Sequence, residues 1–127
     1  MSKYGNTKVT MYGITFDSKL ELYVYQMFKS NKYDIRRCED SFELLPQFKY
    51  IDFLTGRKRS LASMNYTGDF LIELNGKTLV IECKGVKTEP YRMRKKLFIH
   101  KYGKEYGFIE IKNQAECLKV IEQLKNV

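Results

Sequence analysis

The chain has 127 residues, 43% of them hydrophobic, with 23 Lys and Arg against 15 Asp and Glu and a formal net charge of +8. That length and apolar content predict one folded domain and exclude a disordered body. The longest unbroken apolar run is Leu22–Tyr25, far short of the roughly 20 residues that span a bilayer.

Residues 1–7 read as a flexible tail without the apolar core of a signal peptide, so a soluble, cytoplasmic protein is expected, with residues 8–127 as its single domain. Val9–Phe16, interrupted by Gly13, predicts a short strand or hairpin. Ser18-x-x-Glu21 is a capping-box pattern, and Leu20, Val24, Met27 and Phe28 follow at the spacing of one buried helix face, ending near Ser30–Asn31. Phe42–Leu45 and Phe48–Phe53 predict strands separated by Pro46, and Leu54–Ser63 predicts a basic loop leading toward a further strand. Thr88-Glu89-Pro90 opens a second helix, with Thr88 as N-cap and Pro90 in the first turn. Met93, Leu97, Phe98 and Tyr102 are its expected inward face, and Gly103 its end. Gly107–Ile111 predicts a strand, and Asn113-x-x-Glu116 caps a last helix buried through Cys117, Val120, Ile121 and Leu124. The order of elements is that of a mixed α/β domain around one central sheet.

The strongest local signal is Asn75-Gly76 between Phe70–Leu74 and Lys77–Glu82. Such a pair favours a type I′ turn, which needs positive φ at both central residues. A two-residue turn sets Ile72 opposite Leu79, Phe70 opposite Ile81 and Asp69 opposite Glu82. Alternation then puts Asp69, Glu82 and Lys84 on one face, and Phe70, Ile72, Leu74, Leu79, Ile81 and Cys83 on the other. Carboxylates opposed across two strands lie about 4.5–5.5 Å apart at Cβ and repel. A divalent cation resolves that repulsion, and Lys84 adds a compact positive charge for a water or a phosphate oxygen. An exposed, salt-bridged strand surface is the bland alternative, and a bulge near Gly68 would shift Asp69.

Charge is concentrated. Between Lys84 and Lys104 stand eight basic residues and one acid, Glu89, and a second cluster is Arg57-Lys58-Arg59. A basic face beside an acidic pair suits a polyanion such as nucleic acid, and no large apolar face accompanies it for membrane insertion. Cys38, Cys83 and Cys117 are widely spaced and His100 is the single histidine. That leaves no zinc pattern and little room for a histidine-based hydrolase, so carboxylates, lysines and a hard metal ion must carry any chemistry.

Tyr66-Thr67-Gly68-Asp69-Phe70 followed by Ile81-Glu82-Cys83-Lys84-Gly85 resembles the PD-(D/E)XK nuclease superfamily. Taken with Phe16-Asp17-Ser18-Lys19-x-Glu21, Lys87-Thr88 and Tyr91-x-x-x-Lys95-Lys96-Leu97-Phe98, the series is similar to small phage-encoded nucleases related to RecU-like Holliday-junction resolvases. Gly68 stands where that superfamily carries a proline. The resemblance implies a restriction-endonuclease-like α/β fold, a mixed central sheet flanked by helices. It also implies Mg²⁺ or Mn²⁺ on Asp69, Glu82 and the backbone carbonyl of Cys83, with Lys84 positioning or activating water. Glu21 matches a helix glutamate that completes the metal site in many members; its competing role is the helix cap. Lys87, Thr88, Tyr91, Lys95 and Lys96, with Arg57, Lys58 and Arg59, are the expected DNA contacts. The implied activity is endonucleolytic cleavage of branched DNA in phage recombination or DNA processing, in a host cell's cytoplasm. A homodimer would carry the two sites that paired nicking needs, with no small-molecule cofactor and no membrane partner. The alternatives are a non-catalytic nucleic-acid-binding module and a same-fold nuclease with a restriction or transposon-end task.

Overall fold

The computed structural model describes residues 8–127; the expected flexible tail, residues 1–7, lies outside the described residues. The chain runs β1 (Val9–Met11), β2 (Ile14–Phe16), α1 (Lys19–Ser30), β3 (Arg36–Arg37), β4 (Phe42–Leu45), β5 (Phe48–Ile51), β6 (Lys58–Leu61) and β7 (Met64–Tyr66). It continues through β8 (Phe70–Leu74), β9 (Lys77–Cys83), α2 (Glu89–Tyr102), β10 (Tyr106–Ile111) and α3 (Gln114–Leu124). Among the described residues no helix is long and apolar enough to cross a membrane.

The central sheet has the order β10-β9-β8-β3, with β10 parallel to β9 and the other neighbours antiparallel. Its spine is the β8–β9 hairpin. Asn75 and Gly76 take φ of 52° and 81°, as a type I′ turn requires, and Phe70 pairs with Ile81 and Ile72 with Leu79. Alternation sends Phe70, Ile72, Leu79 and Ile81 into a core with Val24, Tyr25 and Phe28 of α1 and Cys117 and Ile121 of α3. Leu71 and Val80, on the opposite face, pack with Tyr91 and Phe98 of α2 and with Phe42, Leu44 and Tyr66 of the small β4–β7 sheet. Helices therefore cover both faces of a mixed sheet, the arrangement that lets a sheet bury two apolar sides.

Among the described residues the three helices each start on an N-cap whose side chain accepts from the N–H three residues on: Ser18 from Glu21, Thr88 from Tyr91 and Asn113 from Glu116. Four sequence expectations change. Leu54–Ser63 is not a loop throughout: Lys58–Leu61 forms β6, which pairs with β5 in a two-stranded hairpin, and β5 stops at Ile51 rather than Phe53. Both strands of that hairpin are solvent-exposed, so their apolar residues show no inward period. Met93 and Leu97 are exposed; the inward face of α2 is set by Tyr91 and Phe98 because the aromatic cluster of Phe42, Tyr66 and Phe108 lies beneath Phe98. Gly103 ends α2 as expected, in ordinary helical φ (−63°).

The fourth change is local to Asp69. It does not sit opposite Glu82 in the ladder. Its N–H donates to the carbonyl of Ile81 at 2.9 Å, the residue already paired with Phe70, so two residues of one strand address one of the other, as at a β-bulge. Gly68 permits this approach: a Cβ there would stand 2.4 Å from Val80 Cγ1.

Candidate functional site

Where α1 begins and β8 and β9 meet, a cavity of about 570 Å³ is lined by Asp17, Glu21, Asp69, Glu82, Lys84, Thr88 and Lys112, among others. Three elements supply its acids. The capping turn of α1 brings Glu21, 4% exposed, the bulge before β8 brings Asp69, and β9 brings Glu82, 5% exposed.

Each carboxylate is held differently. Asp69 Oδ2 accepts from the Cys83 N–H at 2.7 Å, which fixes its orientation across the hairpin. Glu82 Oε1 accepts from the Tyr66 hydroxyl at 2.6 Å, and its Oε2 lies 4.0 Å from Lys84 Nζ. Only the Ser18 half of the capping box is satisfied through Glu21's backbone; the Glu21 carboxylate turns inward, where Oε1 has no hydrogen-bond partner and Arg37 stands 3.8 Å away. The Lys84 N–H donates to Ile111 O at 3.0 Å, tying the lysine's backbone to β10.

The electrostatics follow from that geometry. Burial, then the charges of Asp69 and Asp17, push Glu21 up to about 7. Burial and the charge of Asp69 also raise Glu82, and burial raises Asp69 against the opposing Cys83 N–H. Two carboxylates this close favour one proton between them, and a divalent cation competes for the same place. In this conformation no three His, Cys, Asp or Glu side chains among the described residues stand grouped as a metal-holding set. The donor chemistry nevertheless fits a hard cation: carboxylate oxygens of Asp69, Glu82 and Glu21, with an orphaned buried oxygen on Glu21.

A model of the family described as "Protein of unknown function (DUF1064)" matches residues 1–122. The chain belongs to that family. Neither curated proteins nor solved structures give a match to this DUF1064 chain.

The basic residues divide into two groups. Lys87 and Lys95 are committed to Glu110 on β10, at 2.9 and 3.2 Å. Arg92 pairs with Glu89, Arg94 donates to Asn65 O and Lys101 to Glu43 O. Lys96, Arg57 and Lys58 are exposed, and Arg59 is held at 2.9 Å by Asp52. Thr88 is the cap of α2 and also lines the cavity. Tyr91 departs from its place among the expected DNA contacts: it is 6% exposed, its hydroxyl donates to Glu110, and Lys84 Nζ lies 5.0 Å from its ring centroid. Its ring has no face free for a base.

Sequence reasoning missed Tyr66 as the partner of Glu82, Arg37 beside Glu21, Lys112 at the cavity and Glu110 as the hub of three donors. Tyr66 lies within the motif already singled out, two residues before Gly68, and was legible there. The others depend on strand order, which no local spacing encodes.

Proposed function

We propose that the chain is a divalent-metal-dependent endodeoxyribonuclease on a restriction-endonuclease-like fold, hydrolysing branched DNA in phage recombination or DNA processing, with a homodimer supplying two sites. The observation that carries this reading is the convergence of Glu21, Asp69, Glu82 and Lys84 on one cavity beside a basic helix. The mixed sheet with helices on both faces supports the fold, and the carboxylates with the Cys83 backbone carbonyl would supply the oxygen ligands that Mg²⁺ or Mn²⁺ prefers. Bound there, the ion would polarise a backbone phosphate and lower the pKa of water.

The chain's own residues do the rest. The Cys83 N–H orients Asp69, and the Tyr66 hydroxyl fixes the rotamer of Glu82. Lys84 places a point charge where negative charge develops on the phosphate, and the N-terminus of α2, capped by Thr88, adds oriented N–H groups at the cavity wall. Exposed Lys96 and the hairpin residues Arg57 and Lys58 offer phosphate contacts farther out.

The test is a panel of labelled four-way junction, flap, single-stranded and linear duplex DNA, each with Mg²⁺ and with EDTA. Metal-dependent cutting that favours the branched substrates is expected. Binding that survives EDTA with no cutting of any substrate in Mg²⁺ or Mn²⁺ would replace the nuclease with a binding module.

A further inference from the structure

Lysine carries its charge on a flexible four-carbon stem, so a lysine with a defined task needs something to hold its head. Among the described residues the carboxylate within 4.0 Å of Lys84 Nζ is that of Glu82, whose Oε2 stands at that distance, beyond hydrogen-bond reach. Its other close neighbour is the ring of Tyr91, 5.0 Å from Nζ to centroid, within cation–π range. Tyr91 opens α2 and is buried, so its hydroxyl requires an acceptor. That acceptor is Glu110. Glu110 sits in register with Glu82 on the neighbouring parallel strand, and Lys87 and Lys95 hold its two oxygens. These side chains thus form a continuous chain of contacts that ends on the ammonium of Lys84.

We propose that Tyr91 is the positioning residue of Lys84: its ring face seats the ammonium at the cavity, and Glu110, braced by Lys87 and Lys95, anchors the ring through the hydroxyl. The consequence for catalysis rests on the nuclease reading, whereas the seat itself does not. Lys95 on α2 and Lys87 in the loop just before it then act as braces against β10 rather than as phosphate contacts. A ring that merely filled space could be exchanged for another apolar side chain without consequence for Lys84.

Three proteins decide it: wild type, Tyr91→Phe, which keeps the ring, and Tyr91→Leu, which keeps apolar bulk without a π face. Two readouts are taken, steady-state cleavage of a four-way junction with Mg²⁺ and the NMR signal of the Lys84 ε-protons, with thermal unfolding to show that each variant is folded. In the wild type and Tyr91→Phe the ε-proton signal lies upfield through the ring current; in Tyr91→Leu it returns to the position of a free lysine. Tyr91→Leu loses about 10- to 100-fold in kcat with little change in KM, as a misplaced reacting group does, while Tyr91→Phe, which keeps the π face but gives up the bond to Glu110, shows a clearly smaller loss in kcat. Equal losses in both variants, or a Lys84 signal unmoved by Tyr91→Leu, would overturn the proposal. A wild type that cuts no DNA would overturn the nuclease reading and the catalytic consequence together, and the NMR signal would then decide the seat alone.

Discussion

Glu82 and Glu110 are neighbours in register on β9 and β10, on one face of one sheet, yet they live in opposite electrostatic conditions. Glu110 accepts from Tyr91, Lys87 and Lys95; burial pulls its pKa upward, but those three bonds outweigh it and hold it below the usual carboxylate range. Glu82 is more deeply buried, receives one neutral hydroxyl, and is pushed above that range by burial and by Asp69. A chain selected for stability alone would place its ammonium groups beside the carboxylates that most need them. Here two lysines serve Glu110, while Glu82, Asp69 and Glu21 share a distant Lys84 and Arg37. Uncompensated buried charge is costly, and its concentration in one cavity is what supports the proposed cation site.

The sharpest way to break this contrast is to neutralise the starved side. Glu82→Gln or Asp69→Asn should lower cleavage by roughly 10³-fold, the several kcal/mol that a catalytic metal site supplies. DNA affinity should hold or rise, because a negative charge near phosphate is removed; single-turnover cleavage and filter binding measure the two. Normal cleavage by either variant would remove the site from the mechanism.

pH gives the next largest effect. Glu21 binds its proton more tightly folded than unfolded, with its pKa raised from 4.5 to about 7, and Glu82 is shifted in the same direction. Their stabilising contribution is complete below the unfolded pKa and is lost as pH rises through the folded values. The metal-free protein should therefore lose Tm from about pH 5 to about pH 8, and Mn²⁺ should restore more Tm at the higher pH than at the lower. A metal-free Tm that climbs over this range would contradict the assignment. Glu110 has the opposite sign: its pKa is lowered, so its contribution is present above the unfolded value and fades as pH falls through the folded one. Glu110→Gln should cost about 1.5–3 kcal/mol in denaturant unfolding at neutral pH, the worth of hydrogen bonds to a charged group, and should flatten the acid limb. Mn²⁺ affinity should change far less than in Glu82→Gln.

The smallest effects belong to the exposed hairpin. Phe53 and Leu54, at its tip, are 97% and 90% exposed. Phe53→Ser and Leu54→Ser should leave stability within about 0.5 kcal/mol. Arg57→Ala with Lys58→Ala should make the dependence of DNA binding on salt shallower by about 0.9 in log–log slope for each phosphate that these side chains neutralise. An unchanged slope would take the hairpin out of the DNA interface.

What was legible in the sequence was local. Asn75-Gly76 specifies its turn by backbone sterics, and that turn fixed the register of β8 on β9 and the two faces of the hairpin. Ser18, Thr88 and Asn113 announce helix starts through bonds three residues long. What was not legible depends on distant neighbours. Met93 and Leu97 have the right spacing for a buried face, but the aromatic cluster under Phe98 turns α2 elsewhere. Asp69 was set opposite Glu82, with a bulge near Gly68 as the alternative; the irregularity that forms just before β8 answers to Val80 across the sheet. The site was read through its acids and Lys84; Tyr66 was legible inside the motif, whereas Glu110 as the partner of Tyr91 became visible only when β10 took its place beside β9.

Calorimetric titration of Mn²⁺ into the wild type and into Glu82→Gln, at one pH near 8, tests the central claim directly. Saturable binding in the wild type that Glu82→Gln weakens or removes is the expected result. Wild type and variant taking up Mn²⁺ alike, or neither taking it up at all, would show that these acids are not a cation site.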